Sequence, residues 1–106
     1  MTQYLQFKKG VKLTASQAVN KILAAGYMAA VAIGKPCVVT SGRDGQHQVH
    51  SKHYTDEALD FRRFHLEPHE CDAFVQSLKD TLGQNFDVVI EGDHFHIEYD
   101  PKVKGK

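Results

Sequence analysis

The sequence predicts an α+β domain in which a small antiparallel sheet carries two or three helices on one face. Two observations support this class: apolar residues recur at helical spacing in two segments, and they alternate with polar residues in several short runs. The chain has 106 residues, is 42% hydrophobic and 25% charged, and so resembles one ordinary globular domain with a modest core. We therefore treat residues 1–106 as a single domain that ends in a flexible basic tail over about residues 101–106.

The first predicted elements are an edge strand and a long helix. Residues 3–8 alternate only weakly, which is typical of a strand at the edge of a sheet. Thr14 or Ser16 can cap the helix that follows, and Gly34 marks its end. Gly26 lies inside the apolar pattern and leaves open a break into two shorter helices.

Two strands and a loop are predicted next. Residues 37–40 form an apolar run that favours a buried strand, and residues 41–52 contain the turn signals of a loop. Residues 57–62 predict a second strand, in which Ala58 and Asp60 lie on the same face because side chains alternate along a strand.

The second half of the chain predicts a helix followed by a hairpin. Pro68 fits the first turn of the helix and Gly83 its end. Strands are predicted over residues 86–90 and 94–99, joined by a turn at residues 92–93.

Composition excludes several classes of protein. Lys plus Arg and Asp plus Glu are 13 each, so neither nucleic acid nor an acidic membrane surface is an expected partner. The first residues lack the apolar segment of a secretory signal, and the apolar stretch at residues 22–33 is too short to span a bilayer. We therefore expect synthesis in the cytoplasm. Cys37 and Cys71 give no disulfide framework, and we expect both to be reduced and buried.

Histidines are the unusual component of this chain. There are seven, and none lies in the first 46 residues. His47, His50 and His53 fall within seven positions of the predicted loop. His94 and His96 occupy alternate positions of the last strand and therefore share a face, which can line a cleft while the apolar side packs on helices.

A metal site with three protein ligands follows from these residues. His53, Asp60 and His96 would make a set of two imidazoles and one carboxylate, which a catalytic zinc ion takes when it keeps a fourth position for water. Ala58 is a small neighbour that leaves room beside Asp60. Zinc in such a site lowers the pKa of bound water and polarises a carbonyl, so the sequence predicts a metallohydrolase.

The remaining catalytic roles have several candidates. Asp93, Glu91 and His94 can each serve as a base or proton shuttle. His94 can also be a ligand, a hydrogen-bonding partner of a ligand, or a group that stabilises the transition state, and the spacing does not decide among these roles. Arg43 can bind a substrate carboxylate or a developing oxyanion, or can be a solvated loop residue.

These motifs resemble those of a known enzyme family. The pattern S-x-H-x6-D at residues 51–60, followed by H-x-H at residues 94–96, resembles the zinc D-alanyl-D-alanine carboxypeptidase family. That family includes phage L-alanyl-D-glutamate endolysins and shares its fold with the N-terminal domain of hedgehog proteins. Residues 39–43 also resemble the T-S-G-x-R segment that precedes the metal motif, so the resemblance covers about residues 37–63 and 86–99.

The resemblance implies a role for each candidate residue. It makes His53, Asp60 and His96 the zinc ligands, Asp93 the general base and His94 an assisting residue at the metal. A rival register would make His94 the third ligand, with Glu91 beside it. Arg43 would stabilise the substrate carbonyl or carboxylate.

The activity implied by the resemblance is hydrolysis of peptidoglycan stem-peptide bonds near D-amino acids. We expect a monomer of phage origin that acts at the cell wall or in the periplasm after release by a holin. Asp56 replaces the glycine of the family pattern, which leaves open a catalytically inactive binding or virion structural module of the same fold. A third hypothesis is a histidine-rich metal-binding domain that uses His47, His50 and His53.

Overall fold

The structure is a computed structural model that describes residues 3–42 and 57–101. It has the predicted α+β class. In chain order the elements are β1 (Leu5–Phe7), α1 (Gln17–Ile33), β2 (Cys37–Ser41), β3 (Ala58–Arg62), α2 (Pro68–Leu82), β4 (Phe86–Ile90) and β5 (His94–Tyr99). The predicted spans of the second helix and of the final hairpin are confirmed.

The five strands form one mixed sheet in the order β1-β2-β3-β5-β4. The expectation of an antiparallel sheet is wrong at one edge, because β1 pairs with β2 in parallel while the other three pairings are antiparallel. The cause is the connection between them. The 17-residue helix α1 carries the chain back along the sheet, so β2 starts at the same end as β1.

Local signals account for the ends of α1. The side chain of Ser16 accepts a hydrogen bond of 3.0 Å from the backbone N–H of Val19, which caps the first turn. Gly34 ends the helix in the left-handed conformation, with φ 73°, where an L side chain would be strained. Within the described residues, neither helix combines the length and apolar character needed to cross a membrane.

Gly26 does not interrupt α1, which is continuous across it. It instead permits close contact between the helix and the sheet. A Cβ atom at this position would lie 2.8 Å from Cys37 Sγ and 2.9 Å from the ring of Phe61, both of which are buried. The missing side chain therefore sets how near α1 can approach β2 and β3.

Both helices cover the same face of the sheet and enclose one core. Phe74 of α2 lies edge-on to Phe61 of β3, with ring centroids 6.2 Å apart, and stacks on Phe95 of β5 at 5.3 Å. Leu59 and Ile97, which are adjacent in register, are fully buried in the same core. Because side chains alternate, the residues between these positions lie on the opposite face of the sheet.

We expect Gly26→Ala to destabilise the protein. The added methyl group must displace a buried thiol and a buried ring, and this overpacking outweighs the gain in helix propensity, for a net loss of about 1–2 kcal/mol. Chemical denaturation with a far-ultraviolet circular dichroism readout measures the change. Gly92→Ala is the control, because no atom lies within 4 Å of a Cβ at that position. Equal stability of the two variants would contradict this account of Gly26.

Candidate metal centre

Asp60 is the central residue of the candidate site. It lies on β3, on the sheet face opposite the helices, and its Cα partner across the β3–β5 pairing is His96. Asp60 is only 9% exposed, and in the described part of the chain it is the one charged residue that is buried. A carboxylate removed from water is costly unless it is paired and hydrogen-bonded, so its neighbours decide whether this fold is stable.

Two histidines flank Asp60, one on each of its oxygens. His96 Nδ1 lies 3.0 Å from Oδ1, and His94 Nε2 lies 3.9 Å from Oδ2. Each histidine also contacts a second carboxylate: His96 Nε2 lies 2.8 Å from Glu98 Oε1, and His94 Nδ1 lies 2.6 Å from Asp93 Oδ1. The site is therefore an alternating row of carboxylates and imidazoles along the open face of the sheet.

The row changes the pKa values of two of its members, His96 and Asp93. The hydrogen bond to Asp60 is the largest cause that raises the pKa of His96, to about 9, and Glu98 adds to it. At neutral pH the ring of His96 therefore carries a proton on each nitrogen and donates one hydrogen bond to Asp60 and one to Glu98. The hydrogen bond from His94 lowers the pKa of Asp93, whose side chain is 85% exposed. Asp93 is consequently a weaker base than an ordinary aspartate.

Two residues of this row, Asp60 and His96, offer donor atoms of the kind that a zinc ion takes. Zinc bonds to imidazole nitrogen and carboxylate oxygen measure about 2.0–2.2 Å, so two ligand atoms of a tetrahedral site are about 3.4 Å apart. The distance of 3.0 Å between His96 Nδ1 and Asp60 Oδ1 is close to that value. Glu98 holds the other nitrogen of the same ring, which is the usual support for a metal-binding histidine. Zinc would have to displace the second proton of His96.

Both choices for the third zinc ligand, His96 or His94, remain compatible with this geometry. His96 contacts Asp60 directly, whereas His94 lies beyond hydrogen-bond distance and is held by Asp93. Asp93 reaches this face because it belongs to the turn before β5, where strand alternation does not apply. Glu91 is exposed, its N–H donates to the carbonyl of His94, and its carbonyl accepts from Arg63 Nη1, so these contacts close the hairpin turn.

Five residues of the sequence hypotheses lie outside the described residues: Arg43, His47, His50, His53 and Asp56. The role of His53 as a zinc ligand, the role of Arg43 in substrate binding and the effect of Asp56 therefore remain predictions, as does the metal-binding hypothesis on His47, His50 and His53. Within residues 3–42 and 57–101, the structure brings together Asp60, His96, His94 and Asp93.

Sequence reasoning assigned no role to two residues of this face. Glu98 supports His96, and the signal was its position two residues after that histidine on the same strand face. Arg62 is the residue of β3 that follows Asp60 on the same face, and its Cα partner is His94. The same alternation that placed the histidines could have identified both.

A second group of side chains in the described residues can also hold a metal ion. Asp87, Glu98 and Asp100 each offer one carboxylate oxygen, and these oxygens lie within 4.8 Å of one another. Asp87 and Glu98 are Cα partners across the β4–β5 pairing, so the cluster follows from the strand register. A set of oxygens alone suits calcium or magnesium better than zinc.

Two cavities in the described part of the chain bear on the site. One of about 210 Å³ adjoins the row and is lined by Lys8, Thr40, Asp60, Arg62, Phe64, Asp93 and His94. A larger one of about 300 Å³ lies at the start of α1, and its lining includes Lys21 and Glu57 but none of the candidate histidines. Of these two cavities, both lined by residues within 3–42 and 57–101, only the first reaches the row, so we take it as the space available to a substrate.

No protein-family model matches this chain, and no curated protein is significantly similar to it. The roles implied by the resemblance to zinc carboxypeptidases therefore remain predictions that rest on the motif and on the row around Asp60.

The stability of the metal-free protein should fall as pH rises. Folding raises the pKa of His96 from 6.5 to about 9, so the native state binds more protons than the unfolded state between these values. The contribution of His96 is complete below pH 6.5 and is lost as pH rises through 9, on the order of 1–2 kcal/mol after screening. Urea denaturation of chelator-treated protein across this range measures the loss. His96→Gln should remove this part of the slope, whereas the exposed-residue control His69→Gln should keep it. Equal slopes for wild type and His96→Gln would contradict the assignment.

Proposed function

We propose that this protein is a zinc-dependent peptidase that hydrolyses peptidoglycan stem-peptide bonds near D-amino acids. The observation that carries the proposal is the buried carboxylate of Asp60 with His96 and His94 on its two oxygens. These residues belong to the motifs that resemble zinc carboxypeptidases, and they meet in space although 36 residues separate Asp60 from His96.

Asp60 and His96 would hold the zinc ion together with His53. When bound, zinc polarises the peptide carbonyl and makes a bound water acidic enough to act as a nucleophile. Glu98 keeps the ring of His96 in one orientation through its contact with Nε2, so that Nδ1 faces Asp60. Pre-orientation of this kind reduces the cost of assembling the site.

Proton transfer is assigned to the pair Asp93 and His94. Hydrolysis adds the oxygen of water to the carbonyl carbon and breaks the C–N bond, so one water proton must reach the departing amine. The low pKa of Asp93 favours a role in which it orients His94, while His94 Nε2, on the side of Asp60, carries the proton. The products are a carboxylate and a protonated amine, which together account for both protons of the water, and no other reactant is needed.

The same features also support a second candidate, a non-catalytic binding or virion structural module that keeps the zinc site. Asp56 stands where the family pattern has glycine, and aspartate adopts positive φ angles less freely than glycine. Stoichiometric zinc without hydrolysis of any cell-wall peptide would favour this module over the peptidase.

Zinc binding and hydrolysis should depend on Asp60. We expect one zinc ion per chain by elemental analysis, and Asp60→Asn should weaken zinc binding by at least about 100-fold and abolish cleavage of a stem-peptide panel, because it removes a ligand charge. Asn has the same size, so folding is preserved. Asp87→Asn is the matched control, since it removes a carboxylate of the acidic cluster instead. Absence of zinc from the wild type, or cleavage that survives Asp60→Asn, would refute the proposal. Loss of metal only in Asp87→Asn would move the site to the acidic cluster.

Substitution of His96 and substitution of His94 should have different effects on zinc binding and on kcat. We expect His96→Ala to lose zinc, whereas His94→Ala should keep zinc and lose about 10²- to 10⁴-fold in kcat, the usual range for a proton-transfer group. Zinc titration with a competing chelator and steady-state kinetics distinguish the effects. The reverse pattern would establish the rival register, in which His94 is the ligand.

A further inference from the structure

A positively charged side chain adjoins the zinc-binding row and belongs to the cavity beside it. Arg62 follows Asp60 on the same face of β3, at a separation of about 6.6–6.8 Å along the strand. It lines the cavity of about 210 Å³ together with Lys8, Phe64 and three residues of the row, Asp60, Asp93 and His94. The cavity lining thus combines cationic side chains with candidate catalytic residues.

No carboxylate in the described residues forms an ion pair with Arg62. Its guanidinium carbon lies 4.9 Å from the centre of the Phe64 ring, and its Nε is buried without a hydrogen-bond partner among residues 3–42 and 57–101. The nearest acidic side chains on this face are already engaged, Asp60 with His96 and Asp93 with His94. Arg62 therefore lines the cavity with a charge that no carboxylate of the described residues neutralises.

Phe64 offers its aromatic face to the guanidinium of Arg62. Its ring is 73% exposed and lines the cavity, so it is accessible to a ligand there. A guanidinium that stacks on an aromatic face presents its N–H groups in a planar fork that matches a carboxylate. Lys8 adds a second positive charge at the same cavity.

We infer that Arg62, assisted by Lys8, binds a carboxylate of the peptide substrate while the scissile bond lies over Asp60. This inference rests on the proposed peptidase function. One residue of an extended peptide spans about 3.3–3.6 Å, so the separation along β3 places that carboxylate within about two residues of the scissile bond. Two groups of a stem peptide meet this condition: the C-terminal α-carboxylate of the departing residue and the α-carboxylate of a γ-linked D-glutamate.

Two matched peptide pairs test the inference with zinc-loaded protein. The first pair is an N-acetylated tripeptide that ends in D-Ala-D-Ala, as the free acid and as the C-terminal amide. The second pair is an N-acetylated L-alanyl-γ-D-glutamyl peptide, with its glutamate α-carboxylate free or amidated. We expect Arg62→Gln to raise KM about 10- to 100-fold for the free acid of one pair, with kcat changed only a few-fold. The amide of that pair should be unaffected, and the affected pair identifies the carboxylate.

Two further variants separate binding from a structural role of Arg62. Arg62→Lys keeps the charge but loses the planar fork, so we expect an intermediate KM. Lys79→Gln removes one positive charge from the exposed surface of α2 and should leave both pairs unchanged. Equal effects of Arg62→Gln on acid and amide in both pairs, or no effect, would overturn the inference and leave the peptidase function standing.

Binding measurements keep the two proposals distinguishable if the wild type cleaves none of these peptides. The peptidase function then fails, and the same pairs are titrated by calorimetry. A preference for a free acid that disappears in Arg62→Gln would support the carboxylate site on its own. No preference in either pair would overturn it as well.

Discussion

The buried carboxylate of Asp60 is the constraint on which the site depends. Removing a charge from water costs several kcal/mol, and this fold offsets the cost with imidazoles from the neighbouring strand. That arrangement requires one register between β3 and β5, since a shift by one residue would turn every side chain of a strand to the other face. The core enforces the register, because Phe61 and Phe95 pack against Phe74 on the opposite face. Packing under the helices thus fixes the geometry of the polar face.

The row of acids and imidazoles gives its members different properties although they are chemically alike. His96 lies between two carboxylates and its pKa rises to about 9, while the exposed Asp93 has a lowered pKa through its bond to His94. Asp60 and His96 suit the proposed binding of a cation, because a metal ion can replace the positive charge that Asp60 and Glu98 already stabilise on the ring. Asp93 and His94 line the cavity beside Asp60. The proposed function assigns metal binding to the first pair and proton transfer to the second.

Local signals predicted most of the fold, because a capping serine, a first-turn proline and terminal glycines act within a few residues of where they stand. They also predicted that His94 and His96 share a face. They could not predict which residue of β3 lies opposite, since that register depends on packing between distant segments, nor the parallel pairing of β1, which depends on the path of α1. Alternation along one strand already puts Glu98 on the face of His96 and Arg62 on the face of Asp60. Only the strand registers show that Arg62 lies opposite His94 and Glu98 opposite Asp87.

Glu98 also determines how the two candidate cation sites relate to each other. It accepts a hydrogen bond from His96 and contributes an oxygen to the cluster with Asp87 and Asp100. A cation in that cluster would weaken the interaction between Glu98 and His96 and so lower the pKa of the ring. Zinc at Asp60 would instead be stabilised if Glu98 interacted with His96 Nε2 alone. The acidic cluster offers oxygen alone, but the row offers nitrogen and oxygen at a separation close to a tetrahedral edge. Donor chemistry therefore agrees with the proposed zinc site at Asp60, in which Glu98 supports His96.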